Sequence, residues 1–384
     1  MGSDIFEIGV NFVKMLVIFL MMVQIVPLLV WVERRGSAYI QNRFGPNRVG
    51  PLGLTQLLAD AVKFITKEEF VPGRGFNVLF YSAPVIALIP AALAFGAIPL
   101  SHPIHVEAFE WLGRNWGPYE FAFQSYHIGI GIVFVLAVSS LAAYSLLLAG
   151  YGSNNKYSLY GAVRASAQTI SYELAMGLSI VGILLLFNSF DFSEIIRLQS
   201  GPLSFHVLGE MTTVNWLPNW GIFYQPVGAV LLLAAMFAET NRLPFDLPEA
   251  EGELVAGYHT EYGGIKMNMF YIGEYGHMLV ASGLLVTFYF GGYTLYPFLT
   301  PEAVAGWFSG MGLTAISIWT SVILLLVFIV KVSLLMWFFI WVRWTLPRFR
   351  YDQLMDLGWK TMLPWALGNT IVTAIIIFIM RTQW

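Results

Sequence analysis

The feature that most constrains this chain is a series of hydrophobic segments, each about 20 residues long and nearly free of charge. A helix of that length crosses the hydrocarbon core of a bilayer. The segments predict eight transmembrane helices, at about 8–32, 78–100, 124–149, 162–187, 222–240, 264–292, 314–345 and 360–381. Charged residues make up only 11% of the sequence, well below the share in soluble domains. We therefore predict an all-α polytopic membrane protein in which residues 1–384 form a single transmembrane domain.

Basic residues predict the orientation of these helices. The first hydrophobic run is followed directly by Glu33-Arg34-Arg35, without the small residues of a signal-peptide cleavage site, so we expect it to remain as the first span. Most Lys and Arg residues follow the first, third, fifth and seventh spans, and such residues favour the cytoplasmic side. Both termini are therefore predicted on the periplasmic side, with cytoplasmic loops at 33–75 and 241–263.

The sequence contains no cysteine, which excludes an iron–sulfur cluster or a thiolate metal site within this chain. Its six histidines lack the paired spacing of a haem carrier. His102, His105, Glu107 and Glu110 have the side chains of metal ligands, but Pro103 interrupts their presentation on a helix. We predict that this chain itself binds no metal and no redox cofactor.

The loop at 33–75 is predicted to be ordered. Its segment 43–53 is rich in glycine and proline, which impose a defined backbone path. Apolar side chains then recur at helical spacing, at Leu54, Leu57, Leu58, Ala61, Val62 and Ile65. This pattern predicts an amphipathic helix over 52–67 that lies along the membrane interface. From periodicity alone, an ordinary anchor on the lipid surface explains it equally well.

Two long segments lie on the opposite side of the membrane, at 101–123 and 188–221. Both are rich in Trp, Tyr and Pro, and aromatic residues are typical of the membrane interface. We predict interfacial caps here, with a short amphipathic helix at about 189–199.

The stretch after the fifth span is unusually acidic for its surroundings. It contains one cation, Arg242, and six carboxylates, at Glu239, Asp246, Glu249, Glu251, Glu253 and Glu261. So many carboxylates beside a membrane repel one another, so some are expected to have raised, coupled pKa values, as in proton-handling sites. The alternative is a solvated acidic loop. Pro244 and Pro248 argue against a regular helix, and the apolar Phe245 and Leu247 argue against a fully hydrated loop.

Ionisable residues are also predicted inside the membrane. Glu173 lies about eleven residues into the fourth span, near the midplane. Glu274 lies at a similar depth in the sixth span, with His277 one turn away on the same face, and Lys331 is central in the seventh. Ionisable residues within a bilayer usually face a polar cavity or a partner, which favours a functional role. A structural role, with hydrogen bonds to neighbouring residues, is the alternative.

Several motifs occur together in this chain. They are Glu33-Arg34-Arg35, Arg43-Phe-Gly-Pro-Asn-Arg-Val-Gly-Pro51, Leu58-Ala-Asp60-Ala-Val-Lys63, Thr66-Lys-Glu68, Ala167-Gln-Thr-Ile-Ser-Tyr-Glu173 and the acidic stretch from Glu239 to Tyr262. In this combination the chain resembles the quinone-site membrane subunits of respiratory complex I, the NADH:quinone oxidoreductase. The resemblance runs from residue 33 to about residue 274. The last two spans and the segments on the opposite side match weakly, and 36–39 departs from the usual pattern.

The resemblance implies eight core helices and the membrane part of a quinone chamber. The residues that would line or support the chamber are Arg34, Arg43, Asp60, Phe64, Arg242, Phe245 and Asp246. The acidic passage into the membrane would consist of Glu173, Glu239, Glu249, Glu251, Glu253, Glu261 and Glu274, with His277 and Lys331 as possible intramembrane partners. Quinone reduction would create negative charge that draws protons, and the carboxylates would relay that change toward antiporter-like subunits.

The resemblance also implies substrate, partners and location. Quinone is the expected substrate, and flavin mononucleotide and the iron–sulfur clusters are expected in the subunits of a hydrophilic arm that docks here. The other expected partners are the remaining quinone-site subunits, small membrane subunits, antiporter-like subunits and phospholipid, but no nucleic acid. The expected location is the bacterial inner membrane.

Three other functions remain open at this point. The related membrane subunit of a proton-pumping hydrogenase has a similar scaffold, although the match in the first loop favours complex I. An autonomous proton or cation transporter is disfavoured because the sequence shows no inverted repeat. A purely structural anchor would leave Glu173 and Glu274 unexplained.

Overall fold

A computed structural model describes residues 2–73, 75–111, 114–116, 118–207, 210–247, 255–310 and 312–382. Its helices are α1 (Gly2–Ile40), α2 (Gln56–Thr66), α3 (Asn77–Ala97), α4 (Gly131–Ser139), α5 (Leu141–Gly152), α6 (Lys156–Phe187), α7 (Phe192–Gln199), α8 (Gly221–Tyr224), α9 (Pro226–Glu239), α10 (Gly264–Tyr289), α11 (Pro301–Trp307), α12 (Leu313–Thr345), α13 (Tyr351–Asp356) and α14 (Leu363–Thr382). A π-helical turn, Leu357–Met362, joins the last two.

These helices confirm an all-α polytopic membrane protein. Each predicted span coincides with a helix or with consecutive helices. Within the described residues, six segments are long and apolar enough to cross a membrane, namely Ile8–Ile40, Asn77–Ala97, Gly131–Gly152, Lys156–Phe187, Leu313–Thr345 and Tyr351–Ile379. The other two predicted spans correspond to α9, which has only 14 residues, and to α10, whose 26 residues include Lys266, Glu274 and His277.

Capping residues explain where the functional helices begin and end. The side-chain oxygen of Asn155 accepts a hydrogen bond from the Tyr157 backbone N–H and starts α6. Asn188 adopts the left-handed conformation, with φ 50°, and ends α6. α9 starts with Pro226, whose missing N–H is not needed in a first helical turn. Local sequence therefore determines the bounds of these helices.

The first helix is longer than predicted. We expected it to end at about residue 32, with a loop from residue 33, but α1 continues to Ile40. The sequence from 33 to 40 contains a glycine but no proline, so nothing in it forces the helix to stop. The extension places Glu33 and Arg34 on rigid helical backbone, where their side chains have fixed directions.

The two segments predicted as interfacial caps contain β-hairpins that the sequence did not indicate. The antiparallel pairs are β1 (Ile104–Val106) with β4 (Tyr119–Phe121), β2 (Phe109–Trp111) with β3 (Arg114–Trp116), and β5 (Pro202–Val207) with β6 (Glu210–Pro218). The short helix predicted at about 189–199 is confirmed as α7. We call the end of the bundle that holds these strands the hairpin end, and the end at which α1, α9 and α12 terminate the basic end.

α10 is the central helix of the bundle. Every residue from Met278 to Tyr289 is buried, and a helix that is buried all round is surrounded by other helices. It packs against α3, α9, α12 and α1. Its first half, by contrast, carries Glu274, Tyr275 and His277. The fold therefore places polar side chains beside the core at the basic end.

Candidate functional site

The candidate site lies at the basic end, where α1, α10 and α12 meet the loop that follows α9. α1 and α12 approach closely at Gly36, where a Cβ atom would come within 2.9 Å of the Trp337 ring. Glu33 lies one turn before Gly36 on α1, and Arg343 lies further along α12 than Trp337. The close approach therefore brings charged side chains of these two helices together.

Arg242 is the centre of this charged cluster. Its side chain is only 5% exposed. Its Nε atom lies 3.2 Å from Glu274 Oε1, and its Nη1 atom lies 3.8 Å from Glu33 Oε2. Its guanidinium group stacks over the Tyr275 ring, 4.0 Å from the ring centre. A buried cation requires compensating partners, and here two carboxylates and an aromatic face provide them.

Glu33 joins three helices through its carboxylate. Arg343 Nη1 donates a hydrogen bond of 2.5 Å to Glu33 Oε1, and the Tyr275 hydroxyl donates one of 2.5 Å to Glu33 Oε2. Charge-assisted hydrogen bonds of this length are among the strong ones in proteins. Since α1 carries Glu33, α10 carries Tyr275 and α12 carries Arg343, these bonds fix the three helices to one another.

A cavity of about 40 Å³ adjoins Glu274. Its polar lining includes Glu239, Glu274, His277 and Thr169. The Nε2 atom of His277 is buried and has no hydrogen-bond partner within the part of the chain that the structure describes. One water molecule needs about 10–15 Å³ of such volume, so the cavity has room for a few. The arrangement is a small, water-sized space between α5, α6, α9 and α10, with an apolar wall into which a few polar side chains project.

Glu239 connects this cavity to α6. The Ser139 hydroxyl hydrogen-bonds to Glu239, and Glu173 on α6 lies close enough for the two carboxylate charges to interact. Glu173 is half-buried. The structure thus brings together four of the predicted residues. Glu173, Glu239 and Glu274 belong to the predicted passage, and His277 is their predicted intramembrane partner.

Phe245 and Asp246 lie in the same loop as Arg242 and are both buried. Arg348 Nη2 donates a hydrogen bond of 3.0 Å to Asp246 Oδ2. The Phe245 ring contacts the Tyr172 ring edge-on, with 5.5 Å between centres. This half of the acidic loop is therefore folded into the protein, and the alternative of a solvated loop does not apply to residues 242–247.

The predicted chamber residues from the first loop are only partly brought together. Arg34 Nη1 lies 2.6 Å from Asp60 Oδ2, which joins α1 to α2. Phe64 is half-buried on α2, which contacts α10. Arg43 is exposed and donates a hydrogen bond of 2.6 Å to Gln41 Oε1. The amphipathic helix predicted at 52–67 is α2, and it buries none of its residues within this chain.

The remaining acidic residues of the predicted passage lie elsewhere. Asn155 Nδ2 donates a hydrogen bond of 2.6 Å to Glu261 Oε1, so Glu261 is held at the start of α6 and does not line the cavity. Glu249, Glu251 and Glu253 lie outside the described residues.

Sequence comparisons decide the family. The family model described as NADH dehydrogenase matches residues 13–374. The H-type subunit of the NADH-quinone oxidoreductase of Bdellovibrio bacteriovorus is 65% identical over 381 residues, which is 99% of both chains. The corresponding H-type subunit 2 of Geobacter sulfurreducens is 42% identical over 373 residues, 97% of this chain and 98% of the relative. This chain belongs to the NADH dehydrogenase family. The resemblance drawn from the motifs is thereby confirmed, and the chain is a homologue of the H-type subunits of the complex I oxidoreductase.

Four residues of the site were not predicted from the sequence of this family member, namely Glu33, Tyr275, Arg343 and Arg348. Glu33 was assigned to a loop, and the two arginines were used only as evidence for orientation. A glutamate directly after a hydrophobic span usually faces water, so its position gives no signal by itself. Tyr275 is adjacent to the predicted Glu274, and this adjacency is the one signal that pointed toward it.

Lys331 has a different setting in this family member. Its Nζ atom donates hydrogen bonds to the backbone oxygens of Phe290 (2.6 Å), Gly292 (3.0 Å) and Thr294 (2.5 Å). It also lies 5.0 Å from the centre of the Trp220 ring. Its partners are therefore carbonyl groups near the end of α10, and Lys331 is not part of the carboxylate group around Arg242.

The histidines at the hairpin end form no metal centre within the described ranges of the chain. The rings of His102 and His105 are 6.2 Å apart. Burial lowers the pKa of His102 below its ordinary value, which favours the neutral ring.

Proposed function

We propose that this chain forms the membrane part of the quinone chamber of complex I and links quinone reduction to proton translocation. The observation that carries the proposal is the position of Arg242. Its guanidinium group contacts Glu33 on one helix and Glu274 on another, and Glu274 also lines a cavity that has room for water. A change of charge near Glu33 therefore acts through Arg242 on Glu274, whose carboxylate faces the cavity.

The physical basis is electrostatic. Electrons delivered to a quinone add negative charge, which must be neutralised by protons or by movement of nearby cations. The side chains of Glu33, Arg242 and Glu274 are each no more than 11% exposed, and charge interactions are stronger in such surroundings than in water. The carboxylates Glu274, Glu239 and Glu173 then offer successive sites at which a proton can be held.

The chamber itself is proposed to lie between α1, α2 and the loop that carries Arg242, Phe245 and Asp246. Arg34 and Asp60 join α1 and α2 at its edge. Leu58, Val62 and Ile65 on α2 are exposed apolar residues, which suits contact with a lipid surface, quinone or a partner subunit. The chain contains no cysteine, so the flavin and the iron–sulfur clusters are assigned to the subunits of the hydrophilic arm.

The basic end is proposed to face the cytoplasm, with both termini on the periplasmic side of the bacterial inner membrane and the whole chain forming one transmembrane domain. The positive-inside rule supports this orientation. A hydrophilic arm that docks on the basic end would then sit directly over Arg242. Small membrane subunits and antiporter-like subunits would continue the proton path laterally.

The proposal is tested by Glu274→Gln in the intact complex, assayed in inside-out membrane vesicles. We expect quinone reduction and proton translocation to fall by about a hundredfold, the lower range of what a positioned acid–base group contributes. Oxidation of NADH by a water-soluble artificial acceptor should be unchanged, because it needs only the hydrophilic arm. The matched control is Glu302→Gln, an exposed residue on α11. Wild-type proton translocation in Glu274→Gln would refute the proposal.

The partner assignment has a separate test. A tagged form of the chain, purified in mild detergent, should bring down subunits that contain flavin and iron–sulfur clusters, together with NADH:quinone reductase activity. Purification with a nickel hydrogenase, or alone as a stable monomer, would contradict the assignment.

A further inference from the structure

Among the residues that the structure describes, Arg242 pairs with the carboxylates of Glu33 and Glu274 and contacts them unequally. The distance from its Nε to Glu274 Oε1 is 3.2 Å, whereas the distance from its Nη1 to Glu33 Oε2 is 3.8 Å. The second distance is beyond the range of a hydrogen bond, and the first is a closer ion-pair contact that lacks hydrogen-bond geometry. Arg242 is therefore drawn mainly to Glu274, although both carboxylates lie within reach of one guanidinium group.

The hydrogen bonds of Glu33 explain this preference. Its Oε1 atom accepts from Arg343, and its Oε2 atom accepts from the Tyr275 hydroxyl, both at 2.5 Å. The oxygen that faces Arg242 is thus the one that Tyr275 already occupies. The two hydrogen bonds fix the direction of the Glu33 carboxylate, and in that direction its nearer oxygen stays 3.8 Å from Arg242 Nη1.

We propose that Tyr275 and Arg343 are positioning residues that keep Arg242 on Glu274 by occupying Glu33. If either residue releases Glu33, the free carboxylate oxygen draws the guanidinium group away from Glu274. The carboxylate of Glu274, which lines the water-sized cavity, then loses that contact. Arg242 acts in this way as a switch with two positions. This inference rests on the proposed function, because it concerns how the same site responds to quinone.

The switch is connected to the chamber through α1. Arg34 is the next residue after Glu33, and it pairs with Asp60 on α2 at 2.6 Å. A change at the Arg34–Asp60 pair therefore reaches Glu33 through one peptide unit of a continuous helix. Glu33 is held by residues of α10 and α12, so a small displacement of α1 alters these two bonds directly.

The first test is Tyr275→Phe, alone and combined with Glu33→Gln. Phenylalanine removes the hydroxyl but keeps a ring under the guanidinium group. Glu33 should then capture Arg242, and quinone reduction per assembled complex should fall by about tenfold, as for loss of a hydrogen bond to a charged group. Glu33→Gln in addition removes the charge that captures Arg242. The double variant should be faster than Tyr275→Phe alone but slower than the wild type, because Glu33 itself belongs to the site.

Rescue distinguishes positioning from a structural role, because two purely destabilising substitutions do not restore each other. Rates are divided by NADH oxidation with a water-soluble acceptor, which corrects for incomplete assembly. Arg343→Met and Arg343→Met/Glu33→Gln form a second, independent pair with the same expected pattern. If neither double variant is faster than its single parent, the inference is wrong.

Failure of this inference is separable from failure of the proposed function. If Glu274→Gln is inactive but the double variants show no rescue, the site is functional and Tyr275 and Arg343 do not position Arg242. If Glu274→Gln retains normal proton translocation, the proposed function of the site is itself contradicted, and so is the proposed switch of Arg242.

Discussion

Two cations, the buried Arg242 and the half-buried Lys331, are stabilised in different ways within the same bundle. Arg242, at the basic end, is shared by the carboxylates of Glu33 and Glu274. Lys331, toward the hairpin end, donates its hydrogen bonds to three backbone carbonyls. Both arrangements compensate for the loss of water around a charge. They differ in that a carboxylate can gain or lose a proton, whereas a carbonyl cannot.

The difference indicates what each site is for. The carbonyls around Lys331 lie just after the end of α10, where the helix dipole is negative and a cation is stabilising. Lys331 therefore stabilises the carbonyl end of the central helix, a role for which its charge does not have to change. The site around Arg242 contains two groups whose charge depends on protonation, and in the proposed function its electrostatic balance responds to quinone chemistry. The chemical nature of the partners, more than depth in the membrane, separates a responsive site from a structural one.

The largest expected effect is that of Arg242→Met. This change removes the cation that Glu33 and Glu274 share and with it the proposed electrostatic link between them, so quinone reduction per assembled complex should fall by about a hundredfold, as for loss of one preorganised electrostatic group. The assay is NADH:quinone reduction in membrane vesicles. Arg350→Met, in an exposed pair with Asp352, is the control and should behave as the wild type. A fully active Arg242→Met variant would remove the distinction between the two cation sites.

Asp246→Asn should have a smaller effect. Asp246 is buried and paired with Arg348, which is partly exposed, so the neutral amide leaves Arg348 with access to water. We expect coupled quinone reduction to fall by about tenfold while the subunit remains in the complex. Asp352→Asn makes the same chemical change in an exposed pair and serves as the comparison. Unchanged proton pumping in Asp246→Asn would exclude Asp246 from the functional group of residues.

Lys331→Met should separate stability from activity. The change leaves the three carbonyls without their donor, at a cost of about 1–3 kcal/mol for each buried group that stays unsatisfied, so the thermal unfolding temperature of the purified complex should fall. The rate of quinone reduction per assembled complex should stay the same, because the site around Arg242 is intact. Lys331→Arg retains a donor and should be less destabilising. A specific loss of proton translocation in Lys331→Met would mean that Lys331 belongs to the proton path.

The smallest expected effect is on how the thermal stability of the protein depends on pH. Burial lowers the pKa of His259 to about 3, from an ordinary value of 6.5. Between these values the unfolded chain binds a proton that the folded chain does not, so stability is full above pH of about 6.5 and decreases as the pH falls toward 3. Thermal unfolding at pH 7.5 and 5 should show a smaller pH dependence in His259→Phe.

Most of the fold could be predicted because hydrophobic length and helix-terminating residues are local properties of the sequence. The stretch that became α2 has apolar residues at helical spacing, and the fourth span was predicted to end at 187, where α6 ends, although α6 begins at Lys156 and not at 162. The β-hairpins were missed because β1 to β4 have only three residues each, and the longer β5 and β6 lie in a segment without a period-two pattern. The continuation of α1 to Ile40 was missed because charged residues after a hydrophobic run were read as the start of a loop.

The candidate site could be predicted only in part. Glu173, Glu239, Glu274 and Arg242 are conspicuous because charge is rare in apolar surroundings. Glu33 and Arg343 are separated by most of the chain and become partners only through the packing of α1 against α12. No local pattern carries that information. Lys331 had an intramembrane position similar to that of Glu274, and the carbonyl partners that distinguish it appear only in the folded chain.

The central claim is that a carboxylate beside Arg242 changes its protonation when quinone is reduced. Infrared difference spectroscopy of the purified complex, before and after quinone reduction by NADH, measures this directly. We predict a change in the carboxyl C=O region that is present in the wild type and in Glu302→Gln and absent in Glu274→Gln. A difference signal that is identical in all three proteins would contradict the claim.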